Sequence, residues 1–406
     1  MKKLAIVGSI LFFLNFVFGI ECKAGMMQPG QLYARGACLM DGDSGRILYG
    51  KNETQEMAMA STTKIMTCIL ILENCDLTET VIASQNAVKQ PKVRLGVQKG
   101  QRFLLKDLLY ALMLESYNDA AVMLAEHLDG SVEAFARRMN EKAAELGCTQ
   151  THFVTPNGLD GADDGGIHHT TAADLATIMR YCVKQSPQVD IFLQITQPQN
   201  HAFSDLDKTK SYSCVNHNQL LQMTDGVLSG KTGFTNDAGY CYVCAVESES
   251  RTFVITLLGC GWPGNKTWKW KDTLQLLGWA KETYHFRKLQ PLNLQQEISV
   301  TGGIYCWEEG PEQKQTVDIR EQLQNNTEKQ WLLAEGEQLR AVYSYPESIT
   351  APATAGKQVG SVRYLFGDTC IAEDPLLLME DIHAVTPDWC REQILVHFLG
   401  KKTAAD

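Results

Sequence analysis

Positive charge is in deficit in this chain. Lys and Arg number 37 against 47 Asp and Glu, a net charge of -10 over 406 residues. Nucleic acid partners reward a basic surface, so this balance argues against them, and against general attraction to an anionic membrane. A second absence is apolar length. Beyond the first twenty or so residues, no stretch is apolar enough to cross a bilayer. Internal repeats and low-complexity segments are also missing, which sets aside solenoids and fibrous architectures. What remains is a globular composition and enough chain for two domains.

The N-terminus reads as an export signal. Lys2 and Lys3 precede the apolar run Leu4–Ile20, and Cys22-Lys23-Ala24 places small residues around a cleavage site after Ala24. The competing reading is an uncleaved anchor. Glu21, directly before Cys22, is too large for a lipoprotein signal. The chain is thus expected outside the cytoplasm. Its 13 cysteines invite a disulfide reading there. Most of them lie in apolar runs, however, such as Ile65-Met66-Thr67-Cys68-Ile69-Leu70, and are expected to be buried thiols. Cys241 and Cys244 are three apart on a predicted strand, so they face opposite ways and make a poor redox or metal pair.

Residues 25–288 alternate between strand and helix patterns. Strands are expected within Leu32–Leu48, at Tyr240–Val246 and at Thr252–Leu258. Helices are expected over Ile65–Leu72, Leu104–Leu128, Val132–Leu146, Ala172–Val183 and Trp268–Tyr284. This is an α/β (α+β) body with an antiparallel sheet flanked by helices. After Pro291 helical periodicity stops, and runs such as Glu297–Val300, Leu339–Tyr345 and Val359–Phe366 predict a small all-β domain over 289–380. The tail, 381–406, holds a helix opening at Thr386-Pro387. It reads equally as an amphipathic membrane foot or as a helix packed on the β domain.

Three short motifs carry chemistry. Ser61-Thr62-Thr63-Lys64 puts a hydroxyl and an amine on one helical face. A serine needs a base, and Lys64 becomes one if burial and a second cation lower its pKa. At a helix start the Ser61 N–H also faces developing negative charge. Ser116-Tyr117-Asn118 interrupts the long helical stretch, where Ser116 would relay a proton and Asn118 would bond a substrate amide. Ser84-Gln85-Asn86 shares the pattern but sits in a loop-like stretch. Lys231-Thr232-Gly233 is expected just ahead of a strand. Gly233 would let a peptide backbone approach, Lys231 and Thr232 would hold a carboxylate, and the Phe234 N–H would complete an oxyanion hole. The motifs stand 55 and then 115 residues apart.

In this order the motifs resemble those of the D-alanyl-D-alanine carboxypeptidases, the serine DD-peptidase family of low-molecular-mass penicillin-binding proteins. Thr151–Asp160, Asn216–Leu221 and Gly233–Cys241 also resemble family segments. The resemblance implies a serine β-lactamase/DD-peptidase-like fold working without metal or organic cofactor. Ser61 would be the nucleophile, Lys64 its base and Ser116 the proton bridge, with Asn118, Lys231, Thr232, Gly233 and Phe234 binding substrate. The implied partner is the pentapeptide stem of peptidoglycan, with β-lactams as inhibitors. Two departures stand out. Tyr117 occupies a position where Gly is common, and no Arg follows the third motif, leaving Lys266, Lys269 or Lys271 to meet a terminal carboxylate.

Two other functions compete. A class A-like β-lactamase would need a deacylating glutamate, and no convincing Glu-x-x-x-Asn segment lies between Asn118 and Lys231. A non-catalytic penicillin-binding sensor would keep the fold but not the turnover. His168-His169 beside Asp163 and Asp164 suggests a metal site, against which stands an exposed polar loop.

Overall fold

The computed structural model describes residues 29–288, 296–304, 316–321, 330–337, 340–366 and 369–399, with the dipeptide 16–17. The expected leader, 1–24, lies outside these residues apart from that dipeptide, as does the end of the tail, 400–406. The chain divides into two compact units, Met27–Thr283 and Tyr284–Asp406, the latter together with Met1–Met26.

The first unit is built on an antiparallel sheet. Its strands are β1 (Gly36–Asp41), β2 (Ile47–Lys51), β3 (Val227–Thr235), β4 (Gly239–Ser248) and β5 (Arg251–Leu258), in the order β3-β4-β5-β1-β2. Every residue of β5 is buried, because helices cover both faces of the sheet and leave no side for water. A continuous apolar run therefore sits here rather than an alternating one. β3 is an edge strand, with β4 on one side only.

The helices are α1 (Lys64–Asn74), α2 (Leu105–Tyr110), α3 (Asn118–Asp129), α4 (Val132–Glu145), α5 (Ala172–Arg180), α6 (Val189–Thr196) and α7 (Trp268–Thr283). Lys64 through Leu72 of α1 are all buried, so α1 is enclosed by the other helices and is apolar all round. The predicted long helix over Leu104–Leu128 is broken. α2 widens into a π turn at Ala111–Glu115, Ser116 adopts a left-handed conformation at φ 66°, and α3 starts at Asn118. Three sequence expectations need correction. Lys231-Thr232-Gly233 lies within β3, not ahead of a strand. Ser84 is the N-cap of a one-turn helix, Gln85–Val88, accepting from the Ala87 N–H, rather than a loop residue. His168 is buried, not part of an exposed loop.

The second unit is β-rich. Its largest sheet includes Gln296–Thr301, Thr316–Glu321, Arg340–Ser344, Gln358–Phe366 and Thr369–Leu378, around a core of Ile298, Val300, Val317, Ile319, Val362 and Leu376. The final helix, α8 (Pro387–Leu399), begins where Pro387 predicts, with Thr386 Oγ1 accepting from the Trp389 N–H. Ile394, Leu395 and Phe398 on α8 stand exposed. Among the described residues no helix is long and apolar enough to cross a membrane.

Candidate active site

The three motifs converge. Ser61 sits in a 3-10 turn, Ala60–Thr63, that leads directly into α1. Ala60 takes φ 50°, a left-handed conformation that costs a non-glycine residue about 1–3 kcal/mol and persists only where the surroundings enforce it. The surroundings here are two glycines. A Cβ on Gly158 would lie 2.0 Å from the Ala60 carbonyl oxygen, and one on Gly233 would lie 2.8 Å from the Ser61 nitrogen. Only bare backbone fits on either side of the turn.

Lys64 is fully buried. Its Nζ lies 2.8 Å from Ser61 Oγ, 3.0 Å from Asn118 Oδ1 and 2.5 Å from the Asn157 carbonyl oxygen. The latter two groups only accept. A neutral amine has two hydrogens, enough for both, and its lone pair then faces the Ser61 hydroxyl. Burial holds the Lys64 ammonium well below its ordinary pKa, Lys231 pushes it further down, and Asp119 partly opposes them. Lys231, also buried, donates to Ser116 Oγ at 3.0 Å and to the Thr232 carbonyl at 2.9 Å. Burial lowers its pKa to about 7.

Thr232 pairs with Tyr242 and Phe234 with Tyr240 across the β3–β4 ladder. Strand alternation therefore puts their side chains on the face opposite Lys231 and Gly233. Phe234 packs against Tyr240, with ring centroids 4.8 Å apart. Of the three candidate lysines, Lys269 is buried, with its Nζ donating to the Lys266 carbonyl and lying over the Tyr240 and Trp270 rings. Lys266 and Lys271 are exposed. Tyr117 is half-buried against the core.

The walls are fixed by groups with less visible signatures. The buried Asp119 carboxylate accepts from the backbone N–H groups of Leu95 and Gly96, both at 2.8 Å, and so holds the segment whose Pro91 and Val93 carbonyls take the side-chain and backbone N–H of Asn118. Glu115, beside Ser116, accepts from the Val215 N–H and from His217 Nε2. His168 Nδ1 accepts from the Val154 N–H at 2.9 Å, which leaves Nε2 to donate to Thr63 Oγ1 at 2.8 Å. Thr63 in turn donates to the Ala60 carbonyl. Burial drives the His168 pKa down to about 4, and with both ring nitrogens hydrogen-bonded the neutral ring packs as a structural member of the wall.

Sequence reasoning did not single out Asn157 or Ala60, and it read His168 only as a metal ligand or a loop residue. Asn157 acts through its main-chain oxygen, an atom every residue type supplies. Its place in Thr155-Pro156-Asn157-Gly158 was the available signal.

Comparison with known proteins places the chain. The D-alanyl-D-alanine carboxypeptidase family matches residues 23–259, well over half of the chain, and the chain belongs to that family. It is a serine peptidase, a hydrolase. The C-terminal domain of penicillin-binding protein 5 matches residues 334–384 within the β-rich unit. The chain is 35% identical over 241 residues to the D-alanyl-D-alanine carboxypeptidase DacB2 of Mycobacterium tuberculosis, covering 59% of this chain and 79% of that protein. The structure of penicillin binding protein 5 from Haemophilus influenzae superposes with a TM-score of 0.66 at 25% identity, covering 88% of this chain and all of that one. The cefotaxime-bound structure of penicillin-binding protein D2 from Listeria monocytogenes superposes at 0.54 with 30% identity, over 62% of this chain and 99% of that one.

Proposed function

We propose that the enzyme releases the terminal D-alanine from peptidoglycan pentapeptide stems through an acyl-enzyme on Ser61. The observation that carries this reading is the buried Lys64 amine, its pKa held down by burial and by Lys231, 2.8 Å from Ser61 Oγ. The stem adds alongside the free edge of β3 as an extra strand. Lys64 takes the Ser61 proton as Oγ attacks the carbonyl carbon of the terminal peptide bond. The oxyanion meets the Ser61 and Phe234 N–H groups. As the C–N bond breaks, the proton passes through Ser116, hydrogen-bonded to Lys231, to the departing amine. Asn118 holds Lys64 and a substrate amide, while Lys231 and, from the other face of the edge strand, Thr232 draw in the terminal carboxylate. D-alanine departs, and water attacks the ester with Lys64 again accepting a proton. A β-lactam acylates Ser61 by the same first step.

A class A β-lactamase would deploy a glutamate against the acyl-enzyme. Here the group that meets both Ser61 and Lys64 from the 151–160 stretch is the Asn157 carbonyl, which cannot act as a base. Release of D-alanine thus suits the site better than fast lactam turnover. The stem lies outside the cytoplasmic membrane, consistent with the leader expected over 1–24. The exposed Ile394, Leu395 and Phe398 on α8 support surface contact with a membrane by the tail.

Mass spectrometry of a pentapeptide muropeptide incubated with the purified chain and with Ser61→Ala tests the reading. Loss of one alanine with the parent enzyme only is the expected result. An unchanged pentapeptide, with Ser61 stably acylated by penicillin, would favour the sensor reading instead.

A further inference from the structure

Far from the catalytic groups, three different ligand types meet. Cys75 is the C-cap of α1, Glu79 follows four residues later ahead of the strand Thr80–Ile82, and His127 lies in the last turn of α3. The Cys75 sulfur, a Glu79 carboxylate oxygen and a His127 ring nitrogen all lie within 4.8 Å of one another. All three residues are partly buried. The carboxylate is already aimed, because Glu79 Oε1 accepts from the Asp76 N–H at 2.6 Å while Oε2 meets His127 Nε2 at 2.7 Å. Cys75 Sγ makes no hydrogen bond among the described residues. Its neighbourhood is otherwise the Arg138–Asp129 ion pair.

Among the other described cysteines of this unit, Cys38, Cys68, Cys148, Cys182, Cys214, Cys241, Cys244 and Cys260 are all buried. Cys75 alone of them reaches the surface, and it does so facing an imidazole and a carboxylate. A thiolate, a carboxylate and a neutral imidazole carry two negative charges, which a divalent cation cancels.

We infer that Cys75, Glu79 and His127 form a binding site for a divalent transition-metal ion of the zinc type, with water in a fourth position. The sulfur, nitrogen and oxygen donors match a borderline-soft ion, and three protein ligands leave a tetrahedral site with one open position. Ligand atoms around such an ion stand roughly 3.3–3.7 Å apart, given bonds of about 2.0–2.3 Å. Binding therefore replaces the 2.7 Å His127–Glu79 hydrogen bond with two metal bonds and a small opening of the pair. It also expels the Cys75 proton to solvent. Burial and the Glu79 carboxylate push that thiol up to about 11, so the ion supplies the charge that makes the thiolate.

The placement gives the site a structural consequence. α1 begins at Lys64 and is capped by Cys75, while α3 begins at Asn118 and ends just beyond His127. The two helices meet at one end through the Lys64–Asn118 hydrogen bond of 3.0 Å. A metal would tie their opposite ends, about 15 Å away at 1.5 Å per residue, fixing the register of the helices that bear the first and second motifs.

Cobalt(II) titration of the full chain, reduced and freed of metal, tests the site. Cys22, Cys306, Cys370 and Cys390 are replaced by Ser so that they contribute no signal. The expected result is a thiolate-to-cobalt charge-transfer band and tetrahedral d–d bands saturating at one equivalent, displaced by zinc. Cys75→Ser should lose the charge-transfer band. Glu79→Gln, which keeps the side chain's shape and an acceptor oxygen, should weaken binding about 10–100-fold. Zinc should raise the Tm of the parent and not of Cys75→Ser. No thiolate band in the parent, or one that persists unchanged in Cys75→Ser or Glu79→Gln, would overturn the assignment.

Discussion

Replacing Gly158 by Ala probes how Ser61, the proposed nucleophile, is placed. Gly158 has φ +81°, and its missing Cβ would sit 2.0 Å from the Ala60 carbonyl oxygen, 2.4 Å from its carbon and 2.9 Å from the Ser61 nitrogen. An ordinary carbon–oxygen contact is about 3.3–3.6 Å. The turn must therefore retreat by roughly 1.3 Å or more, and backbone cannot swing aside as a side chain can. The left-handed φ adds about 1–2 kcal/mol for any residue with a Cβ. A displacement near 1 Å at the reacting atom lowers the rate about 100-fold. Gly158→Ala is thus expected to lower kcat/KM for a pentapeptide about 100-fold, with a matching fall in the second-order rate of acylation by a fluorescent penicillin. Gly147→Ala is the control. It has φ +78° with nothing within 4 Å of the added methyl, so it should lose stability from the backbone alone and keep its acylation rate. Acylation of Gly158→Ala within threefold of the parent would refute the argument that the Gly158–Ala60 approach sets the position of Ser61.

Other perturbations bear on the charges. Lys231 titrates at about 7 in the folded enzyme, so kcat/KM should decline as pH rises above about 7 and the ammonium is lost. Because the unfolded chain holds that proton up to the ordinary lysine range near 10.4, it binds more protons than the folded one between about 7 and 10. Stability should therefore rise with pH across that window, and a Tm series on Lys231→Met should show a smaller rise together with lost turnover. Asp119→Asn removes the charge that holds the Lys64 pKa up, so the acid limb of the acylation profile should move to lower pH. The same change leaves a buried N–H group of the 95–96 segment facing an amide, a loss of about 1–3 kcal/mol in denaturant melts. His168→Ala opens a cavity, orphans the Val154 N–H and removes one of the two partners of Thr63 Oγ1, and should destabilise by about 2–4 kcal/mol.

Much of this was legible in the sequence because the chemistry is written in contiguous words. Ser61 and Lys64 need only helical spacing to share a face, and the turn at Ser116 shows as polar residues interrupting Leu104–Leu128. The alternation of strands and helices across the first unit followed from periodicity for the same reason. The rest depended on atoms without residue-specific signatures. Ala60 gives no hint of its left-handed backbone, which Gly158 and Gly233 impose from distant parts of the chain. The Asn157 oxygen belongs to the main chain. His168, read beside acidic residues, resembled a ligand or a loop residue, and only the fold shows it enclosed behind Thr63. The third motif was placed ahead of its strand because Lys231 and Gly233 lack β propensity. Tertiary pairing with β4 overrides that preference.

The open side of β3 has a cost that the cell must manage. Sheets normally blunt an exposed edge to prevent strand-to-strand aggregation. An edge that must admit a peptide has to stay bare. The register shift between Val227 and Ser229 confines the regular part of the strand to Ser229–Thr235, beside Ser61. That stretch is as long as an ordinary strand, so it can template a strand from another molecule as well as admit a peptide. Openness to a peptide and openness to a second chain therefore reside in the same residues.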